Sequence, residues 1–166
     1  MAETISDLVE QLGKHLEQRR ARIALAESCT GGMVASALVA HAGFGGALER
    51  SMVVYSNEAK CDLLGLDRER VEECDGVSED VARAMARAAL ERSRAELALA
   101  ITGFAGPQEK DEEVGLVHIA SASHWGAELY VKKHFGAPGR NKVRQLASEE
   151  ALRLAIVTLQ TDPVEE

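Results

Sequence analysis

Ser28 stands in Ala26-Glu27-Ser28-Cys29-Thr30-Gly31-Gly32, directly after the apolar run Ile23-Ala24-Leu25-Ala26. A hydroxyl on a turn between a buried strand and a helix can act as a nucleophile, with backbone N–H groups of the following helix aimed at the developing oxyanion. Gly31 and Gly32 would let a substrate approach the backbone closely. The same residues also suit an ordinary helix cap and turn. A serine hydroxyl needs a base, and the histidines offer no obvious one. His15 and His41 fall at amphipathic or helix-end positions, while His118, His124 and His134 gather around one hairpin. His118 and His134 as cross-strand neighbours admit a metal site, which no HExxH or paired-cysteine spacing supports. Lys60, in Tyr55-Ser56-Asn57-Glu58-Ala59-Lys60, is the other candidate base. An ordinary lysine, with a pKa of about 10.4, is charged and useless in that role; burial would leave a neutral amine able to take the Ser28 proton. Tyr55 can then relay the proton or orient the substrate. The alternative makes Lys60 a surface helix residue and Tyr55 a strand-edge aromatic.

Other residues offer supporting chemistry. Cys29 is a rival nucleophile near a helix N-terminus, although the neighbour of a strand-end serine should point elsewhere, into the core. Glu27 can hydrogen-bond a substrate amide or ribose hydroxyl, or simply offset positive charge. Thr102-Gly103-Phe104-Ala105-Gly106-Pro107 follows a second buried run, Leu97 to Ile101, and can hold a ribose or phosphate through its N–H groups. Arg140, after Pro138-Gly139, can clamp a phosphate with two parallel hydrogen bonds or remain solvated. Glu109-Lys110-Asp111-Glu112-Glu113 reads as a solvent loop.

The elements that must position these groups are legible in the apolar spacing. Ile5, Leu8, Val9, Leu12 and Leu16 predict an amphipathic helix that ends at the basic run 19–22. A strand over 23–26, a small-residue helix over 33–41 and a glycine loop through Gly43, Gly45 and Gly46 follow. Residues 50–56 are β-prone, Asn57 is placed to cap a short helix through Lys60 to Leu64, and 67–73 adds another. Ser78, with Glu79 and Asp80 behind it, starts a helix whose stripe is Val81, Met85, Ala88 and Ala89. Residues 97–101 form a buried strand, 114–123 and 129–135 an antiparallel hairpin, and 141–159 a last helix that turns Val143, Leu146, Leu154 and Val157 to the core. Residues 161–166 read as a frayed tail, leaving a single domain over 1–160. Strands alternating with helices, then a hairpin, predict an α/β fold: a mixed sheet with helices on both faces. Ligands in such folds sit beyond the carboxyl ends of the strands, where both the Glu27–Gly32 and Thr102–Pro107 segments fall.

A chain of 166 residues suits one domain. With 19 Lys plus Arg against 27 Asp plus Glu, the net charge of −8 disfavours a nucleic-acid-binding face. No apolar run approaches the roughly 20 residues of a membrane span, and the acidic start is not a secretory signal. Three unpaired-spaced cysteines, Cys29, Cys61 and Cys74, fit free thiols in a reducing compartment, so a cytoplasmic protein is expected. Apolar residues on the terminal helices suggest a homodimer.

Taken in order, Ala26-Glu27-Ser28-Cys29-Thr30-Gly31-Gly32, Tyr55-Ser56-Asn57-Glu58-Ala59-Lys60, Gly76-Val77-Ser78 and Thr102-Gly103-Phe104-Ala105-Gly106-Pro107 resemble the CinA C-terminal domain family of nicotinamide-nucleotide amidohydrolases, over about residues 5–159. The resemblance implies a three-layer α/β/α sandwich that hydrolyses the carboxamide of nicotinamide mononucleotide to nicotinate mononucleotide and ammonia, without metal or other cofactor. It implies Ser28 as nucleophile, Lys60 as base and Tyr55 as its assistant. Thr102 and Gly103 fall in the substrate loop, and Arg140 on the phosphate side, where Arg144 competes. Glu27, Thr30, Gly31 and Gly32 join them as substrate-side residues. Two departures bear on the substrate: the acidic stretch 108–113 replaces a glycine-rich one, and Pro138-Gly139-Arg140 replaces Gly-Asp-Arg. The alternative is an inert nucleotide-binding module of the same fold that acts through a protein partner.

Overall fold

The computed structural model describes residues 2–163. Its elements run α1 (Ile5–Arg19), β1 (Ile23–Glu27), α2 (Met33–Ala40), a single 3-10 turn (Gly45–Ala47), β2 (Leu48–Val53), α3 (Asn57–Leu64), α4 (Arg68–Glu73), α5 (Glu79–Glu91), β3 (Leu97–Gly103), β4 (Leu116–Ser123), β5 (Glu128–His134) and α6 (Arg140–Leu159). The strands form one mixed sheet in the order β2-β1-β3-β4-β5. The first three are parallel, and β4 and β5 return antiparallel. Helices cover both faces, giving the α/β/α sandwich.

Period-two alternation gives the two faces different side chains. Ile23, Leu25, Leu97, Leu99, Ile101, Val117 and Ile119 point to the face covered by α1, α2 and α6, against Leu8, Leu12, Leu16, Val34, Val143 and Leu152. The opposite face is a ladder of alanines, Ala24 and Ala26, Ala98 and Ala100, Ala120 and Ala122, under Val81, Ala82, Met85, Ala86 and Ala89 of α5. The sheet thus presents large side chains to one helix layer and methyl groups to the other.

The terminal helices turn most of their apolar residues into the core. On α6 the buried stripe is Val143, Ala147, Ala151, Leu152, Ala155 and Ile156. Val157, expected in the core, is half exposed at 50%, because the four-residue step 143-147-151-155 turns it outward. Thr4 caps α1 in a reciprocal box with Asp7, and Ser78 caps α5 as expected. The cap of α3 is Ser56, whose side chain accepts from Ala59 N–H, rather than Asn57. β2 starts two residues earlier and ends three earlier than the β-prone run suggests, releasing Tyr55 and Ser56 to the loop. Of the tail expected to fray, Thr161 is held by Trp125 Nε1 at 3.0 Å and by Arg19; residues 164–166 lie outside those described.

Candidate active site

β1 ends at Glu27, and the carboxyl ends of β1, β2 and β3 open together on a cavity of about 460 Å³. Its lining includes Ser28, Cys29, Tyr55, Lys60, Asp75, Thr102, Gly103 and Arg140. Ser28 follows β1 directly, and its N–H still pairs with Ile101 O at 2.9 Å, so sheet pairing fixes the serine backbone. Lys60 lies one turn into α3, is 2% exposed, and its Nζ stands 3.1 Å from Ser28 Oγ.

The electrostatics follow from burial. Removing the Lys60 amine from water disfavours its charged form and pushes its pKa below the ordinary lysine value, while Cys29, Asp75, Cys74 and Cys61 pull weakly the other way. Asp75 is hydrogen-bonded to Asn57 Nδ2 at 2.8 Å rather than to the amine. A neutral amine at 3.1 Å can accept the serine proton. Cys29, fully packed beside it, behaves oppositely to a reactive thiol: burial pushes its pKa up to about 12.

The remaining candidates divide. Tyr55 is 57% exposed, and its hydroxyl accepts from Arg140 Nη2, while Arg140 Nη1 donates to Gly106 O. Arg140 therefore bridges two walls of the cavity mouth. The nearest link from Tyr55 to Ser28 is through its backbone, with Ser28 Oγ 3.5 Å from Tyr55 O. Thr102 is wholly buried and donates to Gly76 O at 2.6 Å. Gly103 takes the last position of β3, pressed against Leu116 and Val117 of β4.

Glu27, Thr30, Gly31 and Gly32 are not brought to this cavity. Glu27 is fully buried and serves α2, whose first residues carry no capping side chain: one oxygen accepts from Thr30 Oγ1 (2.7 Å) and Val34 N–H (3.0 Å), the other from Ala35 N–H (3.1 Å). Gly31 N–H is taken by Ser28 O at 3.0 Å. These N–H groups of the helix start are therefore spent internally. Gly31 and Gly32 line a separate shallow depression with Met33, Ser36 and Arg144. Arg144 donates to Thr30 O at 3.0 Å, outside the Ser28 cavity, whereas Arg140 is inside it.

His118 and His134, expected as rough cross-strand neighbours, stand diagonally across the hairpin rather than directly opposite. His118 pairs with Lys132 and His134 with Leu116. His118 Nδ1 meets Tyr130 Oη at 2.6 Å, and His134 meets Glu113. Among the described residues no cluster of three or more His, Cys, Asp or Glu could hold a metal ion. No helix among them is long and apolar enough to cross a membrane. Sequence reasoning missed Asn57, Asp75 and Gly76 as walls of the lysine site, although Asn57 and Gly76 stand within motifs that carry the family resemblance.

A mixed-sheet α/β/α sandwich with a buried Ser–Lys pair at the ends of its parallel strands defines the class of site. The CinA C-terminal domain model matches residues 5–159, and the chain belongs to that family. It is 41% identical over 149 residues to a "CinA-like protein" of Syntrophobacter fumaroxidans, covering 89% of this chain and 35% of that protein. The chain thus spans about a third of the length of such longer relatives. It is 40% identical over 151 residues to "Nicotinamide-nucleotide amidohydrolase PncC" of Escherichia coli (strain K12), covering 90% of this chain and 91% of that one. Among solved structures, a competence/damage inducible protein, CihA, from Agrobacterium tumefaciens superposes with a TM-score of 0.89 at 35% identity, covering 97% of this chain and all of that one.

Proposed function

We propose that the protein is a nicotinamide-nucleotide amidohydrolase that converts nicotinamide mononucleotide to nicotinate mononucleotide and ammonia. The observation that carries this reading is the Lys60 amine, buried and 3.1 Å from Ser28 Oγ, at the floor of a cavity of nucleotide size. The name of the Escherichia coli relative supports the substrate class.

The neutral Lys60 amine takes the Ser28 proton as Oγ attacks the carboxamide carbon. The resulting ammonium returns that proton to the leaving nitrogen, the C–N bond breaks, and ammonia departs. Lys60 then deprotonates water, which attacks the acyl ester and frees Ser28 and the nicotinate carboxyl. Arg140 meets the phosphate at the mouth, exchanging the Tyr55 hydroxyl and Gly106 carbonyl for phosphate oxygens. Glu109 and Glu112 share the cavity lining with Arg140 and oppose a phosphate, which weakens the grip on a nucleotide substrate and keeps open the second reading, an inert module of the same fold that acts through a protein partner.

Ammonia release from nicotinamide mononucleotide, measured beside Ser28→Ala and Lys60→Met, tests the proposal. Wild-type turnover falling by roughly 10³-fold or more in both variants is expected. Turnover that survives in Ser28→Ala overturns the serine mechanism. Absent wild-type turnover with retained nucleotide binding supports the inert module.

A further inference from the structure

The residue between α4 and α5 that faces the lysine is Gly76. It follows Asp75 in a reversal where both residues have positive φ, 52° and 72°. The Gly76 peptide is tied at both ends. Its N–H donates to Val71 O at 2.8 Å, and its carbonyl accepts the buried Thr102 hydroxyl at 2.6 Å. One tie therefore runs to α4 and the other to β3.

The bare Cα between these ties is packed against Lys60. A Cβ built there would stand 3.1 Å from Lys60 Nζ and 3.2 Å from Cε, and would overlap Asn57 Oδ1. Such separations are tighter than ordinary contact, so the last two atoms of the lysine occupy space that only a residue without a side chain leaves open at this position. Asn57 closes the arrangement by donating to Asp75 Oδ1. The groups that act on the amine electrostatically are Cys29 from the β1–α2 turn, Cys61 from its own helix, and Cys74 and Asp75 from the reversal.

We propose that Gly76, anchored to β3 by Thr102, is the positioning residue that fixes where the Lys60 amine stands relative to Ser28. The role of Lys60 as base rests on the reading given under Proposed function, but the placement of the amine does not. Thr102 then acts through Gly76: its hydroxyl proton is committed to that carbonyl, and its contribution is the location of the wall. Adding a methyl group at Gly76, or cutting the tie at Thr102, moves the amine off its buried position toward the water of the cavity.

Titration of the Lys60 13Cε resonance by NMR, assigned by its loss in Lys60→Met, reads this directly in wild type, Gly76→Ala, Thr102→Val and Thr102→Ser. The amine becomes better hydrated when displaced, so the Lys60 pKa rises in Gly76→Ala and Thr102→Val and returns toward wild type in Thr102→Ser. In turnover assays kcat falls about tenfold in the first two, given that a misplacement of about 1 Å costs on the order of 10²-fold. Their acid limb moves to higher pH while KM changes little. A Lys60 titration left unchanged, or moved to lower pH, in Thr102→Val or a folded Gly76→Ala overturns the proposal. If Gly76→Ala does not fold, the Thr102 pair decides. The NMR result stands whether or not wild type hydrolyses nicotinamide mononucleotide, so failure of the functional reading and failure of this one are separate outcomes.

Discussion

Replacing Glu27 separates a structural carboxyl from a substrate ligand. Its two oxygens accept from Thr30 Oγ1, Val34 N–H and Ala35 N–H, and none of these donors is reached by solvent through Glu27, which is 0% exposed. In Glu27→Gln one oxygen can still serve Thr30 and Val34, but the new amide N–H₂ faces the Ala35 N–H, donor against donor. A buried donor left unsatisfied costs about 1–3 kcal/mol, so a loss of about 2 kcal/mol is expected. Glu27→Ala strands all three donors and leaves a void, for about 4 kcal/mol. At about 2–4 °C per kcal/mol for a domain of this size, the midpoints fall by about 4–8 °C and about 8–16 °C. Thermal unfolding followed by far-UV circular dichroism measures this, with KM for nicotinamide mononucleotide measured on each folded variant. The expected pattern is a large loss of stability with KM close to wild type in Glu27→Gln. A variant as stable as wild type with a raised KM would refute the reasoning and return Glu27 to the substrate.

Three further outcomes follow from the packing. Lys60→Met should raise the unfolding midpoint at pH 7. The folded-state pKa of Lys60 is depressed, so between that value and the unfolded one the unfolded chain binds more protons and stability rises with pH; the wild-type advantage of alkaline pH should shrink in the variant, as denaturant melts across pH 7–11 will read. Iodoacetamide at pH 7.5, followed by peptide mass spectrometry, should label Cys61 and Cys74, both partly exposed, and spare Cys29, whose thiol is buried with a pKa near 12; early labelling of Cys29 would contradict that burial. Gly13→Ala should destabilise by about 1–3 kcal/mol in a urea melt, the reverse of the gain of about 1 kcal/mol usual for glycine in a helix, because the new methyl group overlaps the Phe44 ring.

Elements set by local pattern were legible in the sequence. The α1 stripe, the Ser78 cap and the buried runs at 23–26 and 97–101 each depend on neighbours within a few residues, and each was found where the pattern put it. The strand-end rule selects the two loops that carry Ser28 and Thr102, while Tyr55, Lys60 and Arg140 were tied to them only by the family resemblance. Decisions made by distant partners were not legible. Glu27 has the chemistry of a substrate ligand, and only the return of α2 over β1 shows that its oxygens are already occupied. Gly31 and Gly32 flank Ser28 in sequence, yet the turn carries them to another surface. Val157 fits a helical stripe on paper, but the alanine step of α6 chose the face. Gly76 shows nothing of its role until Lys60, sixteen residues earlier, and Thr102, twenty-six later, are placed against it.

The alanine ladder under α5 has a consequence for the gap between Lys60 and Ser28. Methyl groups let α5 lie close to the sheet, and the α4–α5 reversal that carries Gly76 is attached to the start of that helix. The ladder works as a shim whose thickness is one methyl group. Enlarging it remotely, as in Ala98→Val or Ala122→Val, thickens the layer and levers the reversal away from the strand ends, without altering any atom that lines the cavity. Small side chains buried in the sheet thereby bear on how closely the reversal approaches the strand ends.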